Sequence, residues 1–294
     1  MTVLVLGATG LLGHAVMKEL KARGIRALGA ARSGTDLAVD ISNRMALFRL
    51  LCRVDCQTVI NCAANINLAE CEADPEMAYK VNGAPVGVLA AWSLQTDNRF
   101  IQISTDNYFE GSLPVQHDEQ AVVKLKNVYA ASKFGAETMA LKSPLSLVLR
   151  TNICGAEKGF GKWALDGLLN ENPISLFNDY FTSTMHVGAC AQAIIDLLLS
   201  KQTGLMNLAS REVSSKAQFV HAMASELGIT LDWAVTKSAA GMAPERALSC
   251  GLDVSRAEQA LGRHLPDLKD TVRALIAEDA RCVTLTNLKS AIAV

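Results

Sequence analysis

Four consecutive apolar residues near the N-terminus, Val3-Leu4-Val5-Leu6, run directly into Gly7-Ala8-Thr9-Gly10-Leu11-Leu12-Gly13. A short, unbroken apolar run suits a strand buried on both faces, as in a parallel sheet. Parallel neighbours need a crossover, and Leu11 to Arg23 carries a helical pattern closed by Gly24. The rhythm then repeats. Strands at Ile25 to Ala31, Thr58 to Ile60, Phe100 to Ile103 and Leu145 to Leu149 alternate with further helical patterns. These helices cover Arg44 to Val54, Pro75 to Gln95 and Val128 to Leu141. The alternation predicts an α/β fold built on a doubly wound parallel sheet.

After Arg150 the rhythm breaks. Residues 151–180 are rich in Gly, Asn and Lys. A helix from His186 to Ser200 and a strand at Leu205 to Leu208 follow, then helices at Lys216 to Leu227, Ser255 to Leu261 and Leu268 to Ala280. We expect a Rossmann-type dinucleotide-binding domain from residues 1–150 and 182–204. A smaller, mostly helical substrate lobe is expected from 151–181 and 205–267, with a helical tail over 268–294. The apolar end of that tail, Ala291 to Val294, has two available fates, packing on a partner copy or fraying.

Charge and composition exclude several classes. Charged residues are 19% of the chain and the net charge is −1, so nothing points to nucleic acid or an anionic membrane as partner. No basic leader and no apolar run near 18 residues is present, which predicts a cytoplasmic protein with no membrane span. The eight cysteines form no C-x-x-C pair, and no histidine completes a zinc spacing, so no metal site is expected. They read as reduced core residues.

The glycine segment falls where the first strand becomes the first helix. Glycines there allow a tight turn and close backbone approach to a pyrophosphate, while the helix start offers free N–H groups. Gly7, Thr9, Gly10, Leu11, Leu12 and Gly13 are therefore candidate dinucleotide contacts. The G-x-x-G-x-x-G spacing is one residue longer than the G-x-G-x-x-G fingerprint. A strand ending in an acidic residue would bind the ribose 2′-hydroxyl, but the second strand ends Ala30-Ala31-Arg32-Ser33. Arg32, with Ser33, can instead bond a 2′-phosphate, which favours NADP(H), with NAD(H) possible. Arg32 as a solvated loop residue is the competing role.

Tyr129-Ala130-Ala131-Ser132-Lys133 places a phenol and an ammonium on one helical face, one turn apart. A cation beside the phenol is expected to lower its pKa and ready it as a proton donor. Bringing a tyrosine from about 10 to about 7 takes roughly 4 kcal/mol. A solvated helix face is the competing reading of so short a motif.

The glycine loop, Tyr129 and Lys133, in that order, resemble the extended short-chain dehydrogenase/reductase superfamily. Ile60-Asn61-Cys62-Ala63-Ala64 and Val81-Asn82 fit that pattern. Ser104-Thr105-Asp106-Asn107-Tyr108-Phe109-Glu110-Gly111 is similar to the S-T-D-Y-V-F-D-G segment of dTDP-4-dehydrorhamnose reductases. So are Leu149-Arg150-Thr151, Phe181-Thr182-Ser183-Thr184 and Leu252-Asp253 following Arg246.

The resemblance implies an NADPH-dependent reductase of a nucleotide-linked 4-keto-6-deoxy sugar, with possible homodimerisation. Tyr129 would protonate the carbonyl oxygen, Lys133 would hold the nicotinamide ribose, and Thr105 would bond the same oxygen. Asp106 would orient the sugar, Asn152 and Ile153 would line the substrate site, and Arg246 would reach the nucleotide pyrophosphate in the second lobe. Asp40 and Ile41 would contact adenine. Cys62, Ala63, Ala64 and Asn65 would line the cofactor groove, with Asn82 and Ser104 close by. Simpler roles compete: Asp106 as a turn cap, Ser104 in place of Thr105, Asp40 as a helix-start residue, Arg246 as a solvated arginine.

The chain departs from the family at Asn107, where a tyrosine is expected, and at Ile153, where an aromatic is expected. Both lie on the sugar side. Two other functions stay open, a sugar-nucleotide epimerase and a cofactor-binding regulatory subunit without turnover. A dehydratase would place a glutamate at the position of Asn107.

Overall fold

The computed structural model describes residues 1–170 and 172–284. Its main sheet has seven parallel strands, in the spatial order Gly204–Asn207, Ser146–Arg150, Arg99–Ile103, Thr58–Asn61, Thr2–Leu6, Arg26–Ala31 and Leu37–Ala38. Strand order therefore reverses between Thr2–Leu6 and Thr58–Asn61, the switch point where doubly wound sheets open a crevice.

The first strand shows why its run is continuous. Val3 and Val5 enter the core beneath helices Leu11–Ala22 and Val187–Leu199. Leu4 and Leu6 face the opposite core, with Leu47, Leu50, Leu89 and Ala136 of helices Arg44–Arg53, Ala84–Thr96 and Val128–Ala140. Both faces of the strand are dry, so no alternation is possible. A third core, around Leu165, Leu168, Phe219, Met223 and Leu275, fills the second lobe.

Three features differ from the sequence reading. The helical pattern over Pro75 to Gln95 is two helices, Pro75–Asn82 and Ala84–Thr96, broken at Gly83. Pro85 lacks the N–H that would continue the first helix into the second. The segment 151–180 contains an unexpected helix, Gly159–Leu169, whose two internal glycines, Gly161 and Gly167, depress its helical signal. Finally, Gly204–Asn207 is the edge strand of the main sheet, paired with Ser146–Arg150, and not part of the second lobe as expected.

The second lobe instead centres on a small sheet of Ser214–Ser215, Phe181–Thr182, Ser249–Leu252 and Gln116–His117. Helix Leu268–Glu278, expected as the start of a separate tail, packs on helix Lys216–Leu227. The apolar end Ala291 to Val294 lies outside the described residues. No helix among the described residues is long and apolar enough to cross a membrane.

Candidate active site

A cleft of about 830 Å³ opens at the carboxyl ends of the parallel strands, between the sheet and the second lobe. Its first wall is the glycine turn. Gly7 adopts φ +74°, and its N–H donates to Ala30 O at 2.8 Å. A Cβ on Gly7 would lie 2.7 Å from Ala63 N, and one on Gly13 would lie 2.1 Å from Gly7 O. Strand, turn and helix close on one another only without side chains at these positions.

Helix Leu11–Ala22 starts at Gly10 with no side-chain cap. The helices beginning after Asn43, Asn67, Asp74, Asn127, Ser215 and Asp267 each have a side chain capping their first N–H groups. Gly10, Leu11 and Leu12 line the cleft, so this helix start turns unsatisfied donors and the positive dipole end toward it. A pyrophosphate fits such a cradle.

The opposite wall is helix Val128–Ala140. Asn127 caps it by accepting from Ala130 N at 2.8 Å, which fixes Tyr129 in the first turn. Tyr129, Lys133 and Glu137 share one face and are 8%, 3% and 2% exposed. That burial removes the solvated-face reading. Lys133 Nζ donates to Ile103 O at 2.7 Å, anchoring the ammonium to the end of a sheet strand.

The expected acidification of Tyr129 does not hold in the chain by itself. Burial pushes its phenol up to about 12, a hydrogen bond with Thr105 works the other way, and the nearby Asp106 and Cys71 push it further up. Burial likewise pulls Lys133 down to about 8, opposed by Glu137 and Cys62. Both groups lose hydration together, and removal from water outweighs a one-turn separation. Tyr129 therefore rests firmly protonated.

Asp106 is 2% exposed. Its carboxylate accepts from Asn152 Nδ2 at 2.6 Å and from Thr105 Oγ1 at 3.3 Å, so it belongs to a buried network and is not a simple turn cap. Burial raises its pKa to about 6, against the lowering effect of Lys216 and these hydrogen bonds. Thr105, not Ser104, meets Tyr129, because the Ser104 hydroxyl pairs with Tyr108 at 2.9 Å. Tyr108 is thereby turned into the core, packed edge-on to Phe109 and Phe134.

The remaining expected residues divide. Cys62, Ala64, Ser104, Asn152, Ile153 and Arg246 line the same cleft. Among the described residues, Arg246 Nε and Asn107 Oδ1 are buried without a hydrogen-bond partner. Thr9, Arg32 and Ser33 are exposed near the end of the second strand, beyond the cleft lining.

Five expected cofactor contacts have work inside the protein. Asp40 Oδ1 holds the Ser42 backbone at 3.0 Å and hydroxyl at 2.8 Å, the simpler turn role. Ile41 is buried in the core against the sheet. The Asn82 amide is spent inside the protein. It accepts from Asn65 N at 2.8 Å and donates to Asn65 O and Ser132 Oγ, each at 3.0 Å, bracing the loop after Thr58–Asn61 against the Tyr129 helix. Asn65 itself is held in this brace, while Ala63 packs under Gly7.

Sequence reasoning passed over Lys216, which lines the cleft and is 9% exposed. A signal was present: lysine is the first residue of a capped helix, where a cation opposes the helix dipole.

The RmlD substrate binding domain model matches residues 1–281. A probable low-salt glycan biosynthesis reductase of Haloferax volcanii is 30% identical, over 94% of this chain and 98% of its own length. A hypothetical dTDP-4-dehydrorhamnose reductase from Sulfolobus tokodaii superposes with TM-score 0.83 at 25% identity, covering 92% of this chain and 99% of its own. A Bacillus anthracis dTDP-4-dehydrorhamnose reductase in complex with NADP superposes with TM-score 0.86 at 21% identity, covering 95% and 99%.

Proposed function

This chain belongs to the RmlD substrate binding domain family, within the extended short-chain dehydrogenase/reductase superfamily, and from that membership we propose that it reduces a nucleotide-linked 4-keto-6-deoxy sugar with NADPH. It is an NAD(P)-dependent oxidoreductase of the nucleotide-sugar reductase type. One observation carries the finer reading. Tyr129, Thr105 and Lys133 converge on the cleft that the uncapped start of Leu11–Ala22 also faces.

The residues fit a dinucleotide. Gly10, Leu11 and Leu12 offer backbone donors to its pyrophosphate, and Ala64 and Cys62 supply an apolar wall beside them. Arg32 is the cation at the end of the second strand, and its charge favours a 2′-phosphate over a free hydroxyl. A dinucleotide held there would supply the hydride for the carbonyl carbon.

The chain's own groups manage the oxygen. Tyr129, held protonated by burial, donates its proton to that oxygen as negative charge develops. Thr105 bonds the same oxygen, an interaction that strengthens toward the transition state. Lys133, fixed by Ile103 O, presents a cation to the nicotinamide ribose.

The second lobe suits a nucleoside diphosphate. Phe160, Trp163, Phe177 and Tyr180 give the cleft an aromatic side for a base. Helix Gly159–Leu169 is a second uncapped helix whose first residues face the cleft, beside Lys158, and Arg246 brings an unpartnered Nε. These donors match a diphosphate.

The test mixes purified protein with NADPH and a panel of keto-sugar nucleotides and follows absorbance of the reduced nicotinamide. Consumption that disappears in Tyr129→Phe supports the reductase. Product formed without net consumption marks an epimerase, and tight NADPH binding without turnover of any substrate marks a regulatory subunit.

A further inference from the structure

Lys216 is buried in the cleft wall, its ammonium 4.0 Å from the centre of the Phe160 ring and 5.6 Å from that of Tyr180. The helix it begins does not need it, because Ser215 and Gln218 already form a capping box there. A buried cation at the positive end of a helix is unfavourable on both counts.

Among the described residues its one side-chain hydrogen bond runs to Thr184 Oγ1 at 3.2 Å. Thr184 has no further capacity. Its proton goes to Asn152 Oδ1 at 2.8 Å, so Thr182, 2.8 Å away, must donate to it. Asn152 in turn donates to Asp106 Oδ2 at 2.6 Å. The relay from Lys216 to Asp106 is thus satisfied in its neutral middle and open at its charged ends. An ammonium has three donors, and two of these remain. Among the described residues, the side-chain bond that Asp106 Oδ1 receives is the long one from Thr105, at 3.3 Å. Both ends line the cleft.

We infer that Lys216 and Asp106 form a donor–acceptor clamp for the substrate's sugar, with Lys216 donating to one ring hydroxyl oxygen and Asp106 accepting from a neighbouring hydroxyl. The inference rests on the cleft taking a nucleotide sugar, and it assigns Lys216 as a residue that recognises the sugar. A vicinal diol presents an acceptor and a donor side by side, which is what an ammonium and a carboxylate separated by a neutral relay can hold. A phosphate does not suit the pair, since Asp106 would repel it. The cations for phosphate are Lys158 and Arg246.

Calorimetric titration with thymidine diphosphate and with its rhamnose conjugate, which has no carbonyl to reduce, separates the sugar term from the nucleotide term. The wild type is expected to bind the conjugate about tenfold tighter than the bare diphosphate, a difference of about 1.4 kcal/mol. Lys216→Met is expected to erase most of that gain and to leave diphosphate affinity within about twofold. Lys216→Arg, which keeps the charge, should retain part of it. A gain unchanged in Lys216→Met, or an equal weakening of both ligands, overturns the clamp. A wild type that binds neither ligand sinks the nucleotide-sugar reading itself. Should the Met variant fail to fold, Lys216→Gln is measured with the same two ligands and judged by the same outcomes.

Discussion

Tyr129 and Lys133 show how far two residues can be read without their surroundings. Their spacing gave the shared face, but spacing carries no information on desolvation. Burial sends the phenol toward about 12 and the ammonium toward about 8, so the phenol keeps its proton while the lysine titrates not far above neutral pH. Tyr129→Phe should cost about 10²–10⁴-fold in kcat, the usual worth of a positioned proton donor, with NADPH affinity by fluorescence titration unchanged. Lys133 gives the pH dependence its sign. The protonated form is the one that serves, and its population falls as pH rises through about 8, so turnover should decline on that alkaline side. In Lys133→Arg the residual activity should lose this limb, since arginine stays charged. A limb that persists in Lys133→Arg belongs to another group. Lys216 escaped the sequence reading for the same reason Tyr129 was half-read. Only folding brings the start of helix Lys216–Leu227 against the Phe160 ring and within electrostatic reach of Asp106, residues far apart in the chain.

At the scale of elements, the strand–turn–helix unit was the most legible part, because the same glycines serve the backbone and the ligand. Gly13 shows the margin. A methyl group there would lie 2.1 Å from Gly7 O and 2.9 Å from Ala8 Cα, and both obstacles are backbone. Gly13→Ala should therefore cost about 1–3 kcal/mol by denaturant melting, the usual cost of overpacking, and weaken NADPH binding more than tenfold by titration. A variant as stable as the wild type with intact NADPH affinity would show that the turn yields. Other elements were hidden by physical compensation. Gly161 and Gly167 weaken helical propensity in Gly159–Leu169, yet they permit close contact: a Cβ at Gly161 would lie 2.5 Å from Gly155 O. Packing supplies there what propensity lacks. Gly204–Asn207 reads the same whether it joins the main sheet or the lobe. Its register on Ser146–Arg150 is set by the crossover through Val187–Leu199, which no local pattern records.

Across the whole molecule, one buried ion pair joins the catalytic helix to the sheet. Arg150, at the end of strand Ser146–Arg150, meets Glu137 of helix Val128–Ala140 through Nε at 3.1 and 3.2 Å and Nη2 at 2.9 Å. The guanidinium also lies 5.1 Å from the Tyr108 ring centre and 5.8 Å from that of Phe109, with both members of the pair almost wholly buried. Glu137 has a second effect, because its charge raises the pKa of Lys133 one turn away. Glu137→Gln thus makes two separable demands. It leaves Arg150 buried without a counter-charge, which should lower stability by about 3–5 kcal/mol in urea melting. It also removes the charge that favours ammonium at Lys133, so the folded pKa of that lysine must fall further below about 8. The alkaline limb of activity should then move to lower pH, with the protonated fraction at neutral pH reduced. A stability loss with an unmoved limb would mean that Glu137 only anchors the helix. A moved limb with unchanged stability would mean that the hydrogen bonds of the new amide to Arg150 replace the ion pair. Both changes together would tie the rigidity of the α/β framework to the charge state of the reducing centre through a single carboxylate.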